Sequence, residues 1–450
     1  MIRTILVKDG KKFHVTLSST VFSYTSTKKI NGKLQSGKIA IDQMIALKSE
    51  TTRKGDSLHL TGIILYIAKD VTSSKLSVKK LIFHGEGDTL DKLVKTIQSR
   101  LKDSTRPREV LVIINPNSGR KKAKEVFHKK VEPFFQLCGI NSKVIVTERP
   151  KQAQEILQTV DLTDVDAVVT VGGDGIVCEC LSGLVMRAQK DAGIDFNDPD
   201  AETVSSKIPI GIIPAGSGDC IVQYLHGSRD VMTAAIYIAL GKTRPASAAS
   251  IHQGHKLSLY SGLLVGFGLF GDIMKDCDKF RWMGASRFNI IPMATVLRRR
   301  MFDAEIEFLP TDSMEWQKLE TEGKLYGVDT YTITRRAKDK DSRMIPCFGD
   351  DALTMFTTSK CKFSEHVRHL ISVKEHRPDC FDFDFVKQRR VRGYRVKLSG
   401  GPVTTNSDGE TVLVDKYYIN CDGEVITVSK PEFEVRLHKH VIPLFGNLNE

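Results

Sequence analysis

Four of the five residues Ala167-Val168-Val169-Thr170-Val171 are apolar, three of them valine, and the run leads straight into Gly172-Gly173-Asp174-Gly175. A short unbroken apolar run of this kind marks a strand buried on both faces, as in a parallel sheet. Beyond the glycines, Ile176, Leu181, Leu184 and Val185 keep to one helical face. A strand that ends in glycines before a helix N-terminus leaves bare backbone N–H groups where a phosphate could sit. It also puts the Asp174 carboxylate within reach of that phosphate.

The pattern recurs on both sides. Val110-Leu111-Val112-Ile113-Ile114 runs into Asn115-Pro116-Asn117-Ser118-Gly119, and Ile210-Gly211-Ile212-Ile213 runs into Pro214-Ala215-Gly216-Ser217-Gly218-Asp219. Val144-Ile145-Val146 ends at Thr147-Glu148-Arg149-Pro150, and Ala153, Ile156, Leu157 and Val160 then have helical spacing. Strands alternating with helices imply βαβ crossovers, hence an α/β lobe with a parallel sheet. Ligands bind such sheets at the carboxyl ends of the strands. Three glycine-bearing turns at successive strand ends therefore point to a nucleotide. The chain has neither a Gly-x-x-x-x-Gly-Lys-Ser/Thr loop nor a Gly-x-Gly-x-x-Gly after the first strand, which excludes a Walker P-loop and the usual dinucleotide fingerprint.

The rest of the chain has a different texture. Residues 1 to about 85 read as short strands: Ile5-Leu6-Val7, His14-Val15-Thr16-Leu17, Thr20 to Tyr24, Leu58-His59-Leu60, Ile63 to Ile67 and Leu81 to His84. Lys8-Asp9-Gly10-Lys11 reads as a hairpin turn. Leu90, Leu93, Val94, Ile97 and Leu101 then space out one helix. Strands closed by one C-terminal helix resemble a pleckstrin-homology domain, which implies a lipid or partner module. Past Tyr260, alternating stretches such as Glu305 to Leu309 and Tyr394 to Leu398 imply an antiparallel β-rich second lobe. Thr311 to Ser342 is dense in charge and shows no period. The expected division is 1–103, 107–245 and 246–450.

At 450 residues, two or three domains are expected. The net charge of +12 favours anionic partners: nucleic acid, acidic headgroups or a phosphorylated substrate. No nucleic-acid recognition motif supports the first of these. Nine scattered cysteines without paired Cys-x-x-Cys sets argue against zinc and for reduced thiols. The N-terminus has no signal-peptide h-region, and Leu259 to Phe270 is shorter than the roughly 20 residues a membrane span needs. A cytoplasmic chain, soluble or peripheral to a membrane, is expected. Arg298-Arg299-Arg300 reads either as a contact for anionic lipid or as a solvated helix end.

Gly172-Gly173-Asp174-Gly175, Pro214 to Asp219 and Asn420-Cys421-Asp422-Gly423-Glu424 together resemble the diacylglycerol kinase-type catalytic domain shared with sphingosine and ceramide kinases. The likeness runs from about Pro107 to Gly446, and within that family it is strongest to the ceramide kinases. Gly266 to Asp276, Lys279 to Gly284, Asp219 and Cys220 carry that last step. The resemblance implies a lipid kinase using ATP and Mg²⁺ to phosphorylate the primary hydroxyl of ceramide at a membrane surface. Sphingosine or diacylglycerol kinases, or a catalytically weak lipid-binding relative, are the alternatives. On this resemblance Asp174 is the base, and Gly172, Gly173, Gly175 and Asp272 meet the acceptor, Asp272 at its polar head. Asn115, Pro116, Asn117, Thr147, Glu148, Arg149, Glu179, Gly216, Ser217 and Gly218 would contact the nucleotide. Arg281 and Arg287 would bridge phosphates. Asp422, Gly423 and Glu424 would return from the second lobe to the nucleotide, Asp422 plausibly through Mg²⁺.

Overall fold

The apolar run at 167–171 lies inside a parallel sheet, where every residue of strand Ala167–Gly172 is buried. A computed structural model of the chain describes residues 1–446 apart from 55–56, 73, 103, 322, 333–350, 376, 378, 400–402 and 406–410. Strands Glu109–Ile114 and Ile210–Pro214 flank the central strand in parallel, and Asn141–Val146 runs parallel to 109–114 at the edge. The register decides the rest. Ile114 stands opposite both Val171 and Val146, and Gly172 stands opposite Pro214. The four strands therefore stop at nearly one level, and the turns that follow them lie side by side. Helix Asp174–Asp191 covers the sheet and buries Ile176, Val177, Leu181, Leu184 and Val185.

The antiparallel part is larger than the parallel one and is joined to it. The last strand, Glu432–Phe445, pairs in parallel with 210–214 at Ile210–Leu444. The same strand pairs antiparallel with Thr243–His252 and with Val386–Leu398. One mixed sheet therefore runs through both lobes. The expected division between 245 and 246 falls inside strand Thr243–His252. The charged segment from Thr311 supplies strands Gln317–Leu319 and Leu325–Tyr331; its end, from 333, lies outside the described residues.

The first 102 residues form a separate sheet of seven antiparallel strands with its own core of Leu6, Phe13, Phe22 and Phe83. Helix Asp88–Lys102 closes it with Leu90, Leu93, Val94 and Ile97. Leu58 to Leu60 and Ile63 to Ile67 belong to one long strand, Ser57–Thr72. Asp9 and Gly10 both have positive φ, as a two-residue hairpin turn requires. This unit is docked on the α/β lobe: the Leu76 N–H donates to Thr233 Oγ1 at 3.0 Å, and Lys242 pairs with Asp42 at 3.0 Å.

Helix Leu269–Lys279 lies so close to strand Tyr417–Cys421 that a Cβ on Gly271 would fall 1.9 Å from the Tyr418 carbonyl oxygen. Backbone cannot give way as a flexible side chain does. Gly271→Ala should lower stability by about 2–3 kcal/mol, the upper range for overpacking, measured as a fall in the urea midpoint with an unchanged slope.

Candidate functional site

The three glycine turns meet backbone to backbone. A Cβ on Gly216 would fall 2.4 Å from Gly173 Cα, and one on Gly119 would fall 2.5 Å from the Ala215 oxygen. The Ala215 N–H donates to the Gly172 carbonyl at 2.9 Å, and the Asn115 N–H donates to the Val171 carbonyl at 3.1 Å. Asn115 also accepts from the Asn117 N–H at 3.0 Å, an Asx-turn that shapes the first loop around Pro116. The spacing of strand ends thus does what the sequence pattern implied, and the rim they form carries little besides backbone.

Asp174 stands where the turns converge. Its carboxylate accepts from the Cys220 and Ile221 N–H groups, both at 3.0 Å, at the start of helix Cys220–His226. Burial pushes its carboxyl above the ordinary carboxylate range, against the pull of those N–H groups and of the Arg229 guanidinium. A carboxylate made more basic in this way is a better proton acceptor. The side chain therefore caps a neighbouring helix while keeping a raised proton affinity.

Two residues of this cluster carry no role in the sequence reading of the site. Asp219, at φ +52°, turns its Oδ1 back onto the Gly216 N–H at 2.9 Å. Burial, with the Asp174 charge adding to it, raises its carboxyl to about 6 despite that bond. Arg229 donates to the Ser217 and Gly218 carbonyls at 3.3 and 2.8 Å and tempers both acids. Asp219 was visible as part of the third turn. Arg229 follows it by ten residues and a helix, a separation that no turn pattern flags.

Glu179 is not a solvated helix charge. It is 8% exposed, and it accepts from the Ala153 N–H at 3.2 Å at the start of helix Gln152–Thr159. It thereby holds the helix that follows the 147–149 turn. Thr147 is buried there on the Ile114 carbonyl, and the Glu148 N–H is held by Gln152. Arg149 points outward, in a two-pronged pair with Glu155.

The second lobe reaches the turns through a hairpin. Asp422 and Gly423, both at positive φ, link strands Tyr417–Cys421 and Glu424–Val428 as a two-residue turn. Glu424 lies against the second glycine turn, where a Cβ on Gly175 would sit 2.5 Å from its Oε1. Asp422 differs from expectation. Its Oδ1 accepts from Ser261 Oγ and the Leu263 and Leu264 N–H groups, and its Oδ2 accepts from the Gly262 N–H at 2.7 Å. At most one lone pair is left for Mg²⁺, so its first task is to order the 261–264 turn. Burial raises it to about 6. Cys178 and Cys421 bring their sulfurs to 3.9 Å beside it; the Cys421 contact and burial raise the Cys178 thiol, and burial raises Cys421 against the pull of Cys178.

Three more residues of the expected site sit on helical segments of the second lobe. Asp272, 9% exposed on helix 269–279, pairs with Arg300 at 3.3 Å. Arg287 lies over the Phe288 ring at 4.5 Å and opens helix Arg287–Leu297. Arg281 opens the tight turn before it, and its side chain is outside the described parts. Each arginine of the triplet has a partner within the chain, while Arg298 and Arg300 stay exposed. Arg298 pairs with Asp276, Arg299 binds the Tyr326 hydroxyl and the Cys361 carbonyl, and Arg300 holds Asp272 and the Lys416 carbonyl.

Residues 109–251 match the diacylglycerol kinase catalytic domain family. Human ceramide kinase is 31% identical over 418 residues, covering 78% of this chain and 76% of that protein. The chain belongs to the ceramide kinase family. It is a lipid kinase by that membership. The human ceramide kinase-like protein is 28% identical over 446 residues, 87% of this chain and 78% of its own length. An Arabidopsis thaliana sphingosine kinase is 33% identical over 214 residues, 47% of this chain and 41% of its own length. The same fold occurs in a solved Bacillus anthracis structure provisionally described as a diacylglycerol kinase. Its TM-score is 0.52 at 15% identity, over 77% of this chain and 99% of that one.

The crowded acids of this lipid kinase have a measurable signature. Asp219 titrates near 6 folded against 3.8 as its ordinary value, so between those limits the folded chain holds a proton that the unfolded chain has lost. That contribution to stability falls as pH rises from about 4 to about 6. Asp219→Asn, which does not ionise, should gain on the parent by on the order of 1–3 kcal/mol across that window. Denaturant unfolding of both chains at several pH values measures the difference.

Proposed function

We propose that this lipid kinase transfers the γ-phosphoryl group of ATP to the primary hydroxyl of ceramide, giving ceramide 1-phosphate. The observation that carries the reading is Asp174, a carboxyl of raised proton affinity standing where three side-chain-poor turns meet. The residues fit a nucleoside triphosphate. Glycines at 119, 173 and 216 let the three turns pack backbone to backbone, and Arg229 brings positive charge behind the third turn. ATP supplies the phosphoryl group and Mg²⁺ would offset its charge. The chain's part is positioning and proton transfer, which is most of what this chemistry asks of a protein.

In that reading Asp174 receives the proton of the primary hydroxyl as the hydroxyl oxygen bonds to phosphorus. The electron pair of the broken P–O bond leaves with ADP. Asn115 to Asn117, Thr147 to Arg149 and Gly216 to Gly218 flank the nucleotide, with Glu179 holding the second of these segments. Glu424 closes on Gly175 from the second lobe, and Asp422 keeps that hairpin in place. Asp272, braced by Arg300, stands on the acceptor side with helix 269–279.

The seven-stranded N-terminal unit with its closing helix supports a pleckstrin-homology-like module, over residues 1–103, that brings the kinase to a membrane surface. The α/β lobe then covers 107–245 and the β-rich lobe 246–450, with the last strand shared. No helix among the described residues is long and apolar enough to cross a membrane, and a peripheral attachment is consistent with that.

Radiolabelled ATP with ceramide, sphingosine and diacylglycerol in mixed micelles tests the reading. Ceramide should be labelled fastest, and Asp174→Asn should slow it by about 10²–10⁴, the range for losing a general base. Preference for diacylglycerol would remove the ceramide assignment alone. A chain that binds ceramide but labels no lipid would instead be a lipid-binding relative with lost catalysis.

A further inference from the structure

Strand Leu325–Tyr331 carries a carboxyl that the proposed chemistry leaves unused. Asp329 is 5% exposed, its Oδ1 has no hydrogen-bond partner, and no ion pair reaches it among the described residues. A buried polar atom without a partner costs stability. Two other buried acids of this lobe do have partners: Asp272 has Arg300 and Asp422 has four donors.

Two glycines lie against the Asp329 carboxylate. Gly266 stands directly across from it on strand Leu264–Gly268, and a Cβ there would sit 2.9 Å from Asp329 Oδ1. Gly327, two residues earlier on the same face, would place a Cβ 3.2 Å from Oδ2. The face also carries Phe356, opposite Asp329 on the neighbouring strand, and Tyr331, two residues on. Tyr331 and Phe356 pack edge to face at 5.8 Å. Phe270 of helix 269–279 lies across Gly266 from the acceptor side.

Tyr331 links this face to the third glycine turn. Tyr331 lies within electrostatic reach of Asp329, Tyr224 and Cys220. Cys220 is the residue whose N–H holds Asp174. A path of neighbours therefore leads from the proposed base to a lone carboxyl in an apolar wall.

We propose that Asp329 is a specificity-determining residue that accepts a hydrogen bond from the donor next to the acceptor's primary alcohol. The inference rests on the lipid-kinase reading and deepens it by naming the acceptor class. Ceramide offers such donors in its amide N–H and its secondary hydroxyl. Diacylglycerol offers ester oxygens, which only accept. Burial without a cation raises the carboxyl above its usual range, and its carbonyl oxygen accepts in either protonation state. A site built around a partnered donor rejects the analogue that lacks it more sharply than an apolar pocket rejects an added group.

The test uses the full chain with ceramide, 3-deoxyceramide, N-methylated ceramide and diacylglycerol in mixed micelles. Asp329→Leu keeps the branching at Cγ, with a larger volume, and removes the acceptor. It should lower kcat/KM for ceramide by roughly ten- to a hundred-fold, the effect of losing one buried hydrogen bond, mainly through KM. It should leave diacylglycerol unchanged, so the ratio between the two falls. The parent should discriminate against whichever ceramide analogue lacks the recognised donor, and the variant should not. Thermal unfolding should hold or rise in Asp329→Leu, because an unsatisfied buried carboxyl is gone; a merely structural Asp329 would lower it. Asp329→Asn, which keeps an oxygen, should restore part of the ceramide preference. An unchanged ceramide-to-diacylglycerol ratio in folded Asp329→Leu overturns the proposal. If the parent labels no lipid, the kinase reading fails instead. Binding of a fluorescent ceramide without ATP then decides Asp329 alone, with equal affinity in parent and variant counting against it.

Discussion

Gly173 and Gly216 approach so closely that a methyl group on Gly216 would strike the other residue's backbone. That contact depends on the sheet register, which ends four parallel strands at one level. It in turn fixes where Asp174 stands, because the Gly-Gly-Asp-Gly turn has one way to pass beneath the third loop. Everything else at the site is arranged around it. Arg229 and Asp219 set the charge, Glu179 holds helix 152–159, and Glu424 arrives from the second lobe onto Gly175.

Burying several acids in one place is costly unless each is given donors. Asp422 receives four, Asp174 two from the end of a neighbouring helix, and Asp219 one. These bonds offset burial without cancelling it, so all three carboxyls remain more basic than usual. Structure and chemistry are served by the same hydrogen bonds. A group that caps a helix is held still, and a group held still in a partly dry site is what proton transfer needs.

The lobes are not independent units. Strand 432–445 lends its hydrogen bonds to the parallel sheet on one side and to two antiparallel strands on the other. A rigid shared sheet places the 422–424 hairpin against the glycine turns without a long flexible link. The arginines at 298–300 serve the same end, since each ties helix 269–279 or its neighbours to the β-rich lobe. Arg298 and Arg300 do so while staying exposed to solvent.

Periodicity and turn residues were enough to read the four parallel strands, the three glycine turns, the N-terminal hairpin and the antiparallel character of the second lobe. Those features are local: valine runs, glycine placement and alternation act over a few residues. Family motifs added Asp174 and the Asp-Gly-Glu hairpin. Tertiary structure alone decided what each acid does. Whether Asp422 faces a cation or a turn, whether Glu179 meets water or a helix end, and whether Arg300 or Asp329 has a partner depend on chain segments many residues away. A sequence lists the charges. Burial, which determines what a charge costs and what it can do, exists only once the sheet has closed.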